Sequence, residues 1–217
     1  MSIKYVVFDW DGTLADTYPV ISAAYDYTFD TLGLPRIPYD EVKRLTSMLQ
    51  NKDTLGCIFG ERRREAADAY YSFIDKHHAA ALEPMPGARS VLEYCQKQHI
   101  ISILITNKKT RYIAEELKKL GFSAFFAKII AAGEYTEDKP HRLAVHAAFD
   151  GILPPADEIL VLGDGEADVQ TAAAYAHDGQ KAFCVIYDPK GNYKGSQPDC
   201  KIQDLRQVID IIGEHND

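Results

Sequence analysis

Asp9 and Asp11 stand on either side of Trp10 in the stretch VVFDWDGTLAD, at the end of an apolar run and just ahead of Gly12-Thr13. Crowded carboxylates repel one another and resist desolvation, so stability alone does not explain the pair. A group of opposite charge belongs between them. Three further polar clusters can complete a site: Thr106-Asn107 after ISILI, Lys139 in EDKPH, and Asp164 with Asp168 in LVLGDGEAD. Asp9, Asp11 and Asp164 offer hard oxygen ligands of the kind Mg²⁺ takes together with waters and phosphate oxygens. Thr106, the backbone amides beside it and Lys139 offer donors and a cation, which hold a phosphoryl oxygen and stabilise charge as it shifts. A metal-bound carboxylate is also a plausible nucleophile in aspartyl-phosphate chemistry. The chain contains no Walker-type Gly-rich loop, and no Gly-x-Gly-x-x-Gly stretch follows the first apolar run. The chemistry that these residue types support is phosphoryl transfer.

Each cluster follows a β-branched run that reads as a buried strand: Tyr5–Phe8, then residues 100–105, 128–131 and 159–162, with a fifth run at 183–186. Helical patterns lie between them at Ala88–Lys97, 111–120, 142–149 and 167–176, and a last helix is expected near 205–212 after a loop over 187–198. This alternation predicts an α/β fold, a Rossmann-like doubly wound parallel sheet covered on both faces. The carboxyl ends of parallel strands line one crevice, so the parallel sheet by itself brings the four clusters together. Residues 17–83 break the alternation with helix-like segments at 21–32, 40–49 and 61–82 and no convincing strand. In the last of these, Ala66, Ala69, Tyr70, Phe73, Ile74 and His77 make one apolar stripe. The expected organisation is a core of residues 1–16 and 84–217 with an inserted α-helical cap domain at 17–83.

The chain has 217 residues, 46% of them hydrophobic, and a net charge of −8, which suits a protein with a sizeable core and argues against nucleic acid or an anionic membrane as partner. Cys57, Cys95, Cys184 and Cys200 form no CxxC pair and read as small apolar core residues in a reducing compartment. The acidic pair comes too early for a signal peptide, and no apolar run approaches the roughly 18 residues of a membrane span, so the protein is expected to be cytoplasmic. Monomer and homodimer are both open. Several residues also have plainer roles. Thr106-Asn107 suits a helix N-cap, Asp168 a surface or cap position, and Trp10 a place in the sheet packing. Lys108, Lys109 and the arginines of ERRRE read as solvated, and His77-His78 as the outer face of the insert.

DWDGTL, TN, K-P and GDGEAD, in this order and at these separations, resemble the haloacid dehalogenase-like hydrolase superfamily over nearly the whole chain. The resemblance implies that Asp9 is the nucleophile and Asp11 the general acid/base, with the backbone carbonyl of Asp11 helping to hold Mg²⁺. It implies that Thr106 and Lys139 bind the phosphoryl group, with Asn107 beside them. Asp164 would complete the metal site, and Asp168 would ligate directly or through water. The insert looks like the family's C1 cap, which closes over the active site. An aspartate at position 11 favours phosphatases and phosphomutases over dehalogenases, because a leaving alkoxide needs a proton donor. DGTLADT, the size of the insert and LITNK look most like the phosphoglycolate phosphatase-like subgroup. That likeness implies Mg²⁺-dependent hydrolysis of a small phosphorylated metabolite through a phospho-aspartyl intermediate. The alternatives are a β-phosphoglucomutase-like mutase and a catalytically idle regulatory module. Two departures from the subgroup are a glycine missing from LTSMLQNKDTLG and His177-Asp178 in place of a small residue and glycine.

Overall fold

The structure is a computed structural model that describes residues 2–46, 53–176 and 180–216. It divides into two compact units, one made of the chain up to Asp16 and from Glu83 onward, the other of Thr17–Leu82. The chain begins with β1 (Tyr5–Phe8) and β2 (Ala15–Asp16), then runs through α1 (Tyr18–Thr31), α2 (Tyr39–Thr46), α3 (Thr54–Phe59) and α4 (Arg63–His77). It returns through β3 (Glu83–Pro84), α5 (Ala88–Lys97), β4 (Ile101–Lys109), α6 (Thr110–Leu120), β5 (Phe126–Ala132) and α7 (Arg142–Ala147). The last elements are β6 (Ile159–Gly163), α8 (Glu166–Ala174), β7 (Phe183–Tyr187), β8 (Cys200–Ile202) and α9 (Gln207–Asn216).

In the first unit, six strands form one sheet in the order β5-β4-β1-β6-β7-β8, and every pair is parallel. β1 lies near the centre, with Tyr5 beside Ile101 and Ile159, and Phe8 beside Leu104 and Leu162. A parallel sheet buried on both faces needs continuous apolar strands, which is what VVF, ILI and ILVL provide. On one face Val7, Ile103, Ile105, Val161 and Ile186 pack with Ala144 and Val145 of α7 and Val169 and Ala172 of α8. α5 and α6 pack against β4. β2 and β3 form a separate antiparallel pair. At the chain ends, Ile3 N donates to Asn216 Oδ1 at 2.6 Å and Asn216 Nδ2 donates back to Ile3 O at 3.3 Å.

The short strands β2, β3 and β8 are not among the expected runs, and β4 extends much further than expected. β8 is too short, at three residues, to show a period. β4 continues to Lys109, well past residue 105, and its register with β5 shifts on the way: Ile105 pairs with Ile130, but Lys109 pairs with Ala132. The extra residues on β4 form a bulge, a device found beside active sites. α6 starts only at Thr110 with Lys109 as its N-cap, so Thr106-Asn107 is not the cap of that helix.

The second unit is held by an apolar cluster of Tyr25, Phe29, Leu32, Val42, Phe59 and Ala66. Phe59 stacks on Tyr25 with ring centroids 6.4 Å apart and meets Phe29 at 4.9 Å. α4 buries Ala66, Ala69 and Ile74 and ends at His77, short of residue 82, because a turn from His77 O to Ala80 N replaces the helical ladder. His78 is buried, which corrects its expected outer position, whereas His77 is exposed with its ring against Phe73. Arg62 and Arg63 are largely exposed, as expected of that run, and pair with Glu65 and Asp53. Residues 47–49 of the expected second helix, half of LTSMLQNKDTLG and His177-Asp178 lie outside the described residues.

Cys95 and Cys184 are core residues whose thiols burial pushes up to about 12. Cys57 is exposed on α3 and Cys200 half-buried on the short edge strand, so only two of the four cysteines belong to the core. No helix among the described residues is long and apolar enough to cross a membrane.

Candidate active site

Asp9 continues the ladder beyond β1, its N–H donating to Leu162 O at 2.9 Å. The chain then turns tightly about the carbonyl of Trp10, which accepts from the N–H groups of Thr13, Leu14 and Ala15 at 3.0 to 3.2 Å. Gly12 sits in this turn at φ +80, and a Cβ there would lie 2.6 Å from Asp164 Oδ2. Backbone conformation and the Asp164 carboxylate therefore both require glycine. The turn brings the end of β1 against the end of β6.

Lys139, in the loop between β5 and α7, is buried, and its ammonium reaches three acceptors. It donates to Asp9 Oδ1, to Asp168 Oδ1 at 2.8 Å and to Ile105 O at 3.1 Å. The other oxygen of Asp168 accepts from Gly165 N at 3.0 Å, so Asp168 caps α8 as well as pairing with Lys139. A Cβ on Gly163 would fall 1.9 Å from Asp168 Cγ, so the last residue of β6 must be glycine for this carboxylate to lie where it does. Among the described residues, Asp9, Asp164 and Asp168 each offer a carboxylate oxygen within 4.8 Å of the others. Burial pushes the Asp9 carboxyl above the ordinary carboxylate range; Lys139 pulls against this, and Asp168 and Asp164 add to it. Burial also disfavours the Lys139 ammonium, but Asp168 and Asp9 outweigh it and keep that group protonated. Hard, crowded oxygen donors with a raised carboxyl among them fit a small divalent cation.

The remaining expected residues divide. Thr106 is buried, and its Oγ1 accepts from Lys108 N at 3.1 Å, which leaves the hydroxyl proton for another acceptor. Asn107 donates from its side chain to Lys139 O at 3.1 Å and so braces the backbone that carries the lysine. The Asp11 carboxylate stands apart from the group of Asp9, Asp164 and Asp168, because Lys108 Nζ takes its Oδ1 at 2.8 Å.

Lys108 is the chief correction. Read as solvated, it has a side chain only 9% exposed and lies between Asp11 and Glu116, 3.0 Å from Glu116 Oε1. The extension of β4 past residue 105 carries Lys108 through the bulge to Asp11 and Glu116. Glu116 is fully buried on α6, and its Oε2 accepts from Trp10 Nε1 at 2.6 Å. Burial raises the Glu116 carboxyl, with Lys108 opposing, while Asp11 and Glu116 together overcome the effect of burial on Lys108 and hold it protonated. The sequence carried a signal for Glu116: it is a charge in the middle of the buried face formed by Tyr112, Ile113, Leu117 and Leu120. Trp10 packs edge-on against Phe122, as a sheet-packing residue should.

The loop after β7 is more ordered than its composition suggests. Asp188 accepts from the N–H groups of Asn192 and Tyr193, both at 2.9 Å. Glu166, inside GDGEAD, accepts from Ser196 N and Oγ at 2.7 Å and from Tyr193 OH at 3.1 Å.

A family model described as haloacid dehalogenase-like hydrolase matches residues 6–177. The chain is 25% identical to a phosphoglycolate phosphatase of Aliivibrio fischeri, over 97% of this chain and 96% of that protein. It is 28% identical to the pyrophosphatase PpaX of Oceanobacillus iheyensis, over 99% of each. Among solved structures, a haloacid dehalogenase-like family hydrolase from Streptococcus pneumoniae shares the fold with a TM-score of 0.78 at 21% identity, over 96% of this chain and 98% of that one.

Proposed function

The chain belongs to the haloacid dehalogenase-like hydrolases, and on that premise we propose that it is a Mg²⁺-dependent phosphatase of a small phosphate monoester, with phosphoglycolate-like esters as the leading substrate class. The observation that carries this reading is the gathering of Asp9, Asp164 and Asp168, two of them buried and paired with the buried Lys139. Carboxylates so placed cost stability, and a site that binds a cation and a phosphate puts them to use. The names of the relatives, phosphoglycolate phosphatase and pyrophosphatase, support phosphate release as the reaction. Residues 17–82 are taken as the C1-type cap domain.

Asp9, Asp164, Asp168 and the backbone carbonyl of Asp11 would hold Mg²⁺, which when bound supplies positive charge to the phosphoryl oxygens. Asp9 attacks phosphorus, and the bond to the leaving oxygen breaks. Asp11 gives that oxygen its proton, then takes one from the water that hydrolyses phospho-Asp9. Thr106 donates its hydroxyl proton to a phosphoryl oxygen. Lys139 offsets the charge that develops there, in a position Asn107 helps to hold.

The test is phosphate release from p-nitrophenyl phosphate, phosphoglycolate, pyrophosphate and hexose phosphates, with and without Mg²⁺, for wild type and Asp9→Asn. Release should require the metal and fall at least about a thousandfold in the variant, which should remain folded by circular dichroism. Mg²⁺ should also raise the melting temperature of the wild type by mass action, a readout independent of turnover. Undiminished release by Asp9→Asn would overturn the nucleophile assignment. Transfer of phosphate between positions of a sugar, with little going to water, would replace the phosphatase by the mutase. Inactivity on every ester would favour the idle module.

A further inference from the structure

We infer that Glu116 is a positioning residue for proton transfer: by clamping Lys108 it fixes the carboxylate of Asp11, an inference that rests on the phosphatase reading above. Glu116 and Asp11 share one partner, the Lys108 ammonium, 3.0 Å from Glu116 Oε1 and 2.8 Å from Asp11 Oδ1.

Three features separate a clamp from simple packing. First, Glu116 is 0% exposed, and a buried carboxylate is a costly way to satisfy an indole N–H, for which any neutral carbonyl would serve. The negative charge is needed by Lys108. Second, each oxygen of Glu116 has its own partner, Oε1 with Lys108 and Oε2 with Trp10 Nε1 at 2.6 Å, so the side chain cannot rotate without losing one of them. Third, the chain of contacts closes on itself. Trp10, Glu116, Lys108 and Asp11 form a ring whose two ends are neighbouring residues of the same turn.

Asp11 is the member that needs holding. Its side chain is 31% exposed, the most open of the ring, and would otherwise sample several rotamers. A lysine bonded to Asp11 alone would move with it. Anchored by Glu116, Lys108 keeps the carboxylate in one orientation, and errors of about 1 Å in such placement can cost on the order of a hundredfold in rate.

The experiment compares kcat/KM for two esters, one with an alkyl leaving group (phosphoglycolate) and one with a good leaving group (p-nitrophenyl phosphate), in wild type, Glu116→Gln, Lys108→Met and the double variant. Glutamine keeps the shape and an acceptor for Trp10 but not the charge. Proton donation matters for an alkoxide and little for p-nitrophenolate. The expected result for Glu116→Gln is a loss of about tenfold or more on the alkyl ester and less than about threefold on the aryl ester. The double variant should be no worse than Lys108→Met alone, because Glu116 fixes Asp11 through that lysine. Equal losses on both esters, or additive losses in the pair, would overturn the inference. Should Glu116→Gln fail to fold, Lys108→Met must show the same selectivity by leaving group, and its absence would be equally fatal. Wild type and Asp9→Asn separate the two layers. An inactive wild type removes the phosphatase reading and this inference with it, whereas an active wild type with an indifferent Glu116→Gln removes only the inference.

Discussion

Beside exposed pairs such as Lys4–Glu158 and Arg206–Asp204, the sheet unit keeps two groups of ion pairs inside: Lys139 with Asp9 and Asp168, and Lys108 with Asp11 and Glu116, through lysine side chains 4% and 9% exposed. In the helical unit Thr17–Leu82 the pairs made by Arg36, Arg44 and Arg62 lie outside. Arg36–Asp30, Arg44–Glu41 and Arg62–Glu65 have every side chain at least 41% exposed. What is buried there instead is aromatic, with Phe59 packed among Tyr25 and Phe29. A buried charge must overcome a desolvation cost that an exposed one never meets. The sheet unit does not need such charges to fold, since VVF, ILI and ILVL already give it a core. Its internal charges belong to chemistry, those of the helical unit to solvation, and substitutions in the two should fail in different ways.

Lys139→Met should have the largest effect. It strips the ammonium from Asp9 and Asp168, so kcat/KM should drop on the order of a thousandfold and unfolding free energy by about 3 kcal/mol, read by phosphate release and urea denaturation. A fully stable, active Lys139→Met would show that the buried charges are incidental. Phe59→Ala comes next. Truncating this buried ring should cost about 3 kcal/mol, with amide protection lost in α1 and α4 while β1, β4 and β6 stay protected in hydrogen exchange. Equal loss of protection in the sheet would break the contrast. Arg36→Ala should do least, moving the melting temperature by no more than about one degree despite contacts to Asp26 and Asp30. A larger shift would mean that surface charge holds the helical unit after all.

How much of this was legible in the sequence follows from which physical signal each residue leaves. Asp9, Lys139, Asp164 and Asp168 could be placed because they follow apolar runs, and a parallel sheet gathers strand ends without any need to know the strand order. The continuation of β4 through TNKK left no such trace. Its residues are polar, its register shifts at a bulge, and a strand without apolar alternation looks like a loop or a helix start. That one boundary misplaced Thr106-Asn107 as a cap and Lys108 as solvated. Glu116 did leave a mark, as a carboxylate in the apolar stripe of α6, but a partner for it could be named only once Lys108 was known to be buried. His78 shows the converse: it stands four residues after Ile74 of the apolar stripe, so the helical period already pointed it inward.

The position of β1 has a consequence for how the protein is made. This strand leaves the ribosome well before its neighbours, which begin at Ile101 and Ile159. Thr17–Leu82 is continuous and can gather its aromatic cluster from nearby chain while synthesis goes on. β1 must wait, apolar and unpaired, until β4 has been made, and for its second neighbour until the chain has passed Leu162, when Asp9 gains its bond to that residue's carbonyl. The acidic group around Lys139 is thus among the last features to form. A nascent or truncated chain lacking β6 has the nucleophile but no catalytic centre, and it leaves one edge of a sticky strand bare, which cellular chaperones would have reason to cover.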